Sequence, residues 1–251
     1  MKNLIKKLLS FLPKDIEKKS THIIKMIFIK EYRWMINNYW KFGQDNRKKI
    51  FFSAARYMNI NRPINGYYFE FGCNEANTFR MAYNIFKNLF KLKYVAFDSF
   101  EGLPEVKEID KMEVFYEGKL AFDESKFIKL VKKEGIKDEE LIVVKGFYKN
   151  TLNQELIDKL NPTKAAVIYV DCDLYSSTVD VLKFIKHFLQ PGTILIFDDW
   201  NCFYGDKNRG QKKAFYEFLN LNKDLVFEEF TTDCEAKSFV YINNKNEAQF
   251  K

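Results

Sequence analysis

Residues Ala165–Trp200 read AAVIYVDCDLYSSTVDVLKFIKHFLQPGTILIFDDW, and their pattern decides the fold. The apolar run Ala165–Val170 predicts a strand buried on both faces, and it ends in the acids Asp171 and Asp173. Ser176, Ser177 and Thr178 are N-cap candidates for a helix whose apolar face carries Val179, Leu182, Ile185, Phe188 and Leu189. Pro191 and Gly192 stop that helix, and a second apolar strand over residues 193–197 ends in Asp198 and Asp199. Strand, helix and strand in this order make a parallel unit, the repeating piece of an α/β fold. Ligands of such sheets bind beyond the carboxyl ends of the strands, so four carboxylates converge where a site is expected.

The pattern continues on both sides. Residues 67–71 predict a first strand followed at once by Gly72, and residues 94–97 a second that ends at Asp98. Residues 141–144 predict a third, followed by Gly146. A helix capped by Asn77 or Thr78 separates the first two, and further helices are expected over residues 44–58, 127–133 and 210–219. Residues 225–230 and 238–242 close the chain as an antiparallel pair, and the charged segment 106–124 reads as a mobile loop over the site. Glu70-x-Gly72, with an acid ending the next strand 28 residues after Glu70, suggests a nucleoside-binding half-sheet. In that reading Gly72 lets a ligand approach the backbone and Asp98 accepts hydrogen bonds from a ribose diol. The absence of a full GxGxxG disfavours a pyrophosphate cradle. Strand-end acids that merely cap neighbouring helices are the competing reading.

At 251 residues, 47% hydrophobic and 17% aromatic, the chain can bury one sizeable α/β domain, here residues 63–251. Residues 1–62 form a helical extension: a lid, a packing element or an oligomer contact. The 41 basic and 34 acidic residues are mixed along most of the chain, and the net charge of +7 comes with no nucleic-acid signature. Four cysteines without a CxxC pair and only two histidines disfavour zinc, and reduced thiols suit the cytoplasm. The start, MKNLIKKLLSFLPK, sets Leu4, Ile5, Leu8, Leu9 and Leu12 opposite Lys2, Lys6 and Lys7. A basic amphipathic helix of this kind lies on an anionic membrane surface or packs against a partner.

Three motifs in order, FDSFEGLPE at residues 97–105, VDCDLYSST at 170–178 and IFDDW at 196–200, resemble the macrocin-O-methyltransferase (TylF-like) family. The resemblance runs over residues 67–219. It implies a Rossmann-like class I methyltransferase, with a mostly parallel seven-stranded sheet, helices on both faces and a C-terminal antiparallel strand. It also implies S-adenosyl-L-methionine as methyl donor, a divalent metal, usually magnesium, and a hydroxyl of a sugar or sugar-containing small molecule as acceptor. Carried onto this chain, it places Glu70, Gly72, Asp98, Ser99, Gly146 and Asp171 at the cofactor. Asp171, Asp198 and Asp199 would bind the metal, and Asp173 would be the general base.

These residue types suit that chemistry. Methyl transfer is an in-line displacement, so positioning is most of the task. A sugar hydroxyl is a weak nucleophile; a hard cation held by carboxylates lowers its pKa and a nearby Asp takes the proton. Asp198 and Asp199 reach one ion only where their strand ends and turns. Three other readings compete. Asp171-x-Asp173 is the DxD of metal-dependent glycosyltransferases, which leaves FDSFEGLPE unexplained. GDKNRGQKKAF, with Arg209, Lys212 and Lys213, would neutralise a phosphoryl-containing acceptor or a sugar nucleotide. The third is a non-catalytic membrane-surface protein whose S-adenosylmethionine fold is vestigial.

Overall fold

The computed structural model describes residues 14–61 and 64–243. Two compact units divide between Lys49 and Ile50, earlier than the expected boundary at residue 62. The reason is burial: Ile50, Phe51, Ala54, Ala55 and Met58 belong to the core of the sheet unit.

The first unit is helical. It contains α1 (Lys14–Phe28), α2 (Lys30–Trp34), a π-helical stretch over Met35–Trp40, and the start of α3 (Lys41–Ile60). The basic amphipathic segment expected over residues 1–12 lies outside the described residues.

In the second unit the chain runs β1 (Gly66–Phe71), α4 (Asn77–Phe86), β2 (Leu92–Asp98), α5 (Glu124–Lys132) and β3 (Leu141–Lys145). Two short helices follow, α6 (Tyr148–Thr151) and α7 (Gln154–Leu160), then β4 (Ala165–Val170), α8 (Tyr175–Ile185) and β5 (Ile194–Phe197). The chain closes with α9 (Gly210–Leu221), β6 (Leu225–Thr232) and β7 (Lys237–Asn243). The seven strands form one sheet in the order β3-β2-β1-β4-β5-β7-β6, parallel except where β7 runs antiparallel to β5 and β6. This is the α/β Rossmann-like arrangement anticipated from the sequence.

Both faces of the sheet are apolar because each strand alternates its side chains between two cores. Tyr68, Tyr94 and Tyr169 join Phe51, Phe79 and Phe86 on one side. Phe69, Phe71, Phe97 and Val170 join Phe184 and Phe188 on the other. Phe71 and Phe97 stack with ring centroids 4.3 Å apart. Truncating such a buried ring to alanine costs about 3–5 kcal/mol, so Phe97→Ala is a change the fold tolerates poorly.

Register brings the strand ends level. Phe71 lies beside Val170, and Val170 beside Phe197. The next amides continue the ladder: Asp171 N–H donates to the Phe71 carbonyl at 2.8 Å and Asp198 N–H to that of Val170 at 3.0 Å. Gly72 N–H reaches the Phe97 carbonyl at 2.9 Å and Gly146 N–H that of Asp98 at 2.9 Å. Every acid anticipated at a strand end therefore arrives at one edge of the sheet.

Two expected caps differ. Helix α8 begins at Tyr175, and Asp110, 65 residues away in sequence, supplies its cap instead of Ser176, Ser177 or Thr178. The buried Asp110 carboxylate accepts from Tyr175 N–H at 2.6 Å and Ser176 N–H at 3.2 Å. At α4 neither Asn77 nor Thr78 caps; Ala76 takes the N-cap position in a left-handed conformation, and Thr78 donates to Glu70. The segment read as a mobile loop is tied down. Leu103 and Gly118–Lys119 exchange backbone hydrogen bonds, and the Arg209 guanidinium donates to the Lys111 carbonyl at 2.6 Å.

Candidate active site

A cavity of about 480 Å³ opens at the carboxyl edge of the sheet, within the size range of small-molecule sites. Gly72, Asp98, Ser99, Gly146, Asp171 and Asp173 all line it. Tyr175 also lines it, whereas Trp200 packs in the core against Phe197, Phe215 and Phe239.

Asp98 organises one side of this wall. Its Oδ2 accepts from Cys73 N–H at 2.7 Å and Asn74 N–H at 3.0 Å, and its Oδ1 from Phe100 N–H at 2.7 Å. A carboxylate has about four acceptor positions, so capacity remains for a ligand hydroxyl. Ser99 shapes the next turn, donating to the Gly102 carbonyl at 2.7 Å. Gly72 is required for a reason other than ligand approach. With φ at +88°, a Cβ there would stand 1.8 Å from the Asp171 carbonyl oxygen, so only glycine lets β1 and β4 end side by side.

Glu70 is fully buried, one layer behind the cavity wall. It accepts hydrogen bonds from the Tyr68 and Thr78 hydroxyls, the latter at 2.7 Å. Burial pushes its pKa up to about 8, against the opposing effect of those two hydroxyls and helped by the charges of Asp198 and Asp98. From this position Glu70 orders the β1–α4 loop through Thr78.

Asp171, Asp198 and Asp199 form a second cluster, with one oxygen from each lying within 4.8 Å of the others. Strand β5 ends at Phe197, so Asp198 and Asp199 sit on a turn that brings both to one side. Oxygen ligands of magnesium, at about 2.1 Å, stand roughly 3–4 Å apart, so small side-chain rotations would close the cluster on an ion. A donor set of carboxylates alone suits a hard cation. Asp198 accepts from the buried Tyr169 hydroxyl. Asp199 is held by Gln211, whose amide donates to Oδ2 at 3.3 Å, and by Asp173 N–H at 3.0 Å. Such supporting hydrogen bonds orient metal ligands.

Asp173 adopts a left-handed backbone at φ +58°, uncommon for a residue with a side chain and concentrated at functional turns. That twist turns Asp173 away from the direction β4 would give it. Desolvation and the neighbouring Asp198 push its pKa up to about 6, with Lys119 acting in the opposite sense.

Gln211 and Asp110 were not visible as site residues in the sequence. A Gln in the first turn of a helix and an Asp in a charged loop look alike to many solvated ones. Burial pushes the Cys73 and Cys172 thiols up, the Cys202 thiol donates to Asp199 Oδ1 at 3.8 Å, and His22 and His187 are exposed. The basic trio is engaged internally. Arg209 binds loop carbonyls, Lys212 the Asn201 side chain and Lys213 the Glu217 carboxylate.

The profile of the macrocin-O-methyltransferase (TylF) family matches residues 76–228, more than half of the chain. The chain belongs to this TylF family. Its members' defining match begins in the β1–α4 loop and ends in β6, so it takes in Asp98, Asp171, Asp173, Asp198 and Asp199. This TylF-family chain is similar to the 8-demethyl-8-(2,3-dimethoxy-alpha-L-rhamnosyl)-tetracenomycin-C 4'-O-methyltransferase of Streptomyces olivaceus, at 34% identity over 109 residues. The aligned stretch covers 41% of this chain and 40% of that protein.

Among solved structures, the calicheamicin methyltransferase CalS11 superposes with a TM-score of 0.64 at 17% identity, covering 91% of this chain and 93% of its own. Its apo form, described as a TDP-rhamnose 3'-O-methyltransferase, gives 0.56 at 17% identity over 91% and 95%. The O-methyltransferase NovP gives 0.60 at 21% identity over 80% and 79%. At these identities the likeness shows the fold, that of class I O-methyltransferases.

Proposed function

We propose that this chain is an S-adenosylmethionine-dependent O-methyltransferase. Its acceptor is a hydroxyl of a sugar or sugar-containing small molecule, and a divalent cation, magnesium, assists. The observation that carries the reading is one cavity edge shared by two groups of residues. Asp98, Ser99, Gly72 and Gly146 shape one part of the wall, and Asp171 adjoins Asp198 and Asp199. Family membership supports the methyl donor. The tetracenomycin rhamnosyl methyltransferase and CalS11 support a sugar acceptor.

S-adenosylmethionine, when bound, supplies a methyl group on a sulfonium. Asp98 would accept from its ribose hydroxyls while continuing to hold the loop amides of Cys73 and Asn74. Gly72 and Gly146 line the part of the wall against which the cofactor would lie. Asp171, Asp198 and Asp199 would hold magnesium, a Lewis acid that lowers the pKa of an acceptor hydroxyl. Asp173 would take the hydroxyl proton on its carboxylate, whose basicity burial and the neighbouring Asp198 raise. Leu103, Ile109 and Leu120, on the tied-down loop, line the cavity and give the acceptor side apolar surface.

The test is transfer of radiolabelled methyl from S-adenosylmethionine to a panel of sugar nucleotides and free glycosides, with magnesium or with EDTA. The expected result is a labelled sugar that forms with magnesium and is lost with EDTA and in Asp171→Ala. Labelling that is indifferent to both EDTA and Asp171→Ala would remove the metal, and no labelling of any sugar would remove the acceptor class.

A further inference from the structure

The described side chains of the helical unit enclose no interior. Among the described side chains from Ser20 to Lys49 none is buried. Ile23, Ile27, Trp34, Tyr39, Trp40 and Phe42 each expose 55–61% of their surface. Ile23 and Ile27 share one face of α1, and the three aromatics from Trp34 to Trp40 fall in the π-helical stretch and the residue before it. Single exposed apolar residues are ordinary, but a run of them with no buried residue among the described ones calls for a covering surface.

Its charge says what that covering is. Residues 1–49 carry thirteen Lys and Arg but four Asp and Glu, a net +9, which leaves the other 202 residues, with 28 basic and 30 acidic, at −2. The whole positive excess of the chain therefore lies in the unit that exposes these aromatics. We propose that residues 14–49 form a peripheral anchor that rests on a membrane surface rich in anionic lipid. Trp and Tyr rings prefer the headgroup level of a bilayer, and Lys and Arg are drawn to anionic headgroups. A second copy of this chain is the other occupant such a face could take, and it would set one +9 unit against another. Anionic lipid neutralises that charge instead. Among the described residues no helix is long and apolar enough to cross a membrane, so the anchor lies on the surface.

The test uses the full chain with sedimented vesicles of phosphatidylcholine alone or with roughly a third phosphatidylglycerol. The bound fraction is expected to rise about tenfold with the anionic lipid and to fall in high salt. Of the three tryptophans, Trp34 and Trp40 are exposed and Trp200 is buried, so a blue shift of the emission on binding reports this unit. Two paired variants, Trp34→Ser with Trp40→Ser and Lys30→Glu with Lys49→Glu, change exposed positions and are each expected to lose the vesicle binding while keeping the wild-type helical content. Equal sedimentation with neutral and anionic vesicles would overturn the proposal, as would variants that bind like the wild type. A concentration-dependent dimer abolished by the tryptophan pair, without vesicle binding, would assign the face to a second copy and also overturn it.

Discussion

Gln211 holds Asp199 at both ends. Its side-chain oxygen accepts Asp199 N–H at 3.0 Å, and its amide donates to Asp199 Oδ2 at 3.3 Å and to the Val170 carbonyl at 3.0 Å. One buried side chain thus ties the end of β4 to an acid that follows β5. It fixes the spacing of the carboxylate cluster without belonging to it.

Gln211→Ala should therefore raise the magnesium concentration needed for half-maximal activity by about 10–100-fold, the usual cost of losing a supporting contact to a ligand. Affinity for S-adenosylhomocysteine should be unchanged, because Asp98 and its loop are untouched. A magnesium dependence equal to wild type would show that Asp199 needs no such support.

Asp98 has a double role, so its removal should be read out twice. Asp98→Ala strands the amides of Cys73, Asn74 and Phe100 as well as removing the proposed ribose acceptor. Binding of S-adenosylhomocysteine should weaken by about 1–3 kcal/mol, with a lower melting temperature. Titration calorimetry checks the first and thermal denaturation the second; an unchanged dissociation constant would refute the ribose role.

Glu70 sets a pH dependence of stability. Its pKa rises from an ordinary 4.5 to about 8 on folding. Below about pH 4.5 it is neutral in both states, and its contribution is fully present. As pH rises towards 8 the unfolded chain releases this proton and the folded chain does not, so stability falls by up to about 1.4 kcal/mol per pH unit. Glu70→Gln keeps an acceptor for Thr78 and cannot ionise, so its denaturation midpoint should fall less between pH 5 and 8 than that of wild type. Parallel curves over that window would contradict a protonated Glu70.

Asp110→Ala should destabilise the protein by about 1–2 kcal/mol, since it uncaps two amides of α8 and removes a charge from the helix N-terminus. The same change frees the loop that carries Lys107 and Ile109 over the cavity. KM for the acceptor should therefore rise more than KM for the methyl donor, and equal effects on both would show that the loop does not shape the acceptor side.

The parts of this molecule legible in the sequence were those written in local pattern. Ala165–Val170 forms the strand its apolar run predicts, and the other strands fall within two or three residues of their expected ends. Acids at strand ends could be placed at one edge because parallel sheets align those ends. Contacts across distance were not legible. Asp110 caps a helix 65 residues later, and nothing around it in sequence marks that role. Ser176, Ser177 and Thr178 had the right chemistry for the cap, yet the helix starts before them. Gly72 was read as an opening for a ligand, whereas the crowding comes from the carbonyl of Asp171 on the adjoining strand. Helices α6 and α7 are too short for periodicity to reveal.

The most direct test of the account is calorimetric titration of the full chain with S-adenosylhomocysteine, in magnesium and again in EDTA, for wild type and Asp98→Ala. Saturable one-to-one binding by wild type in either condition, weakened in Asp98→Ala, is the predicted result. No binding by wild type in either condition would mean that the edge formed by Gly72, Asp98 and Gly146 is not a cofactor site, and that the chain shares only its fold with methyltransferases.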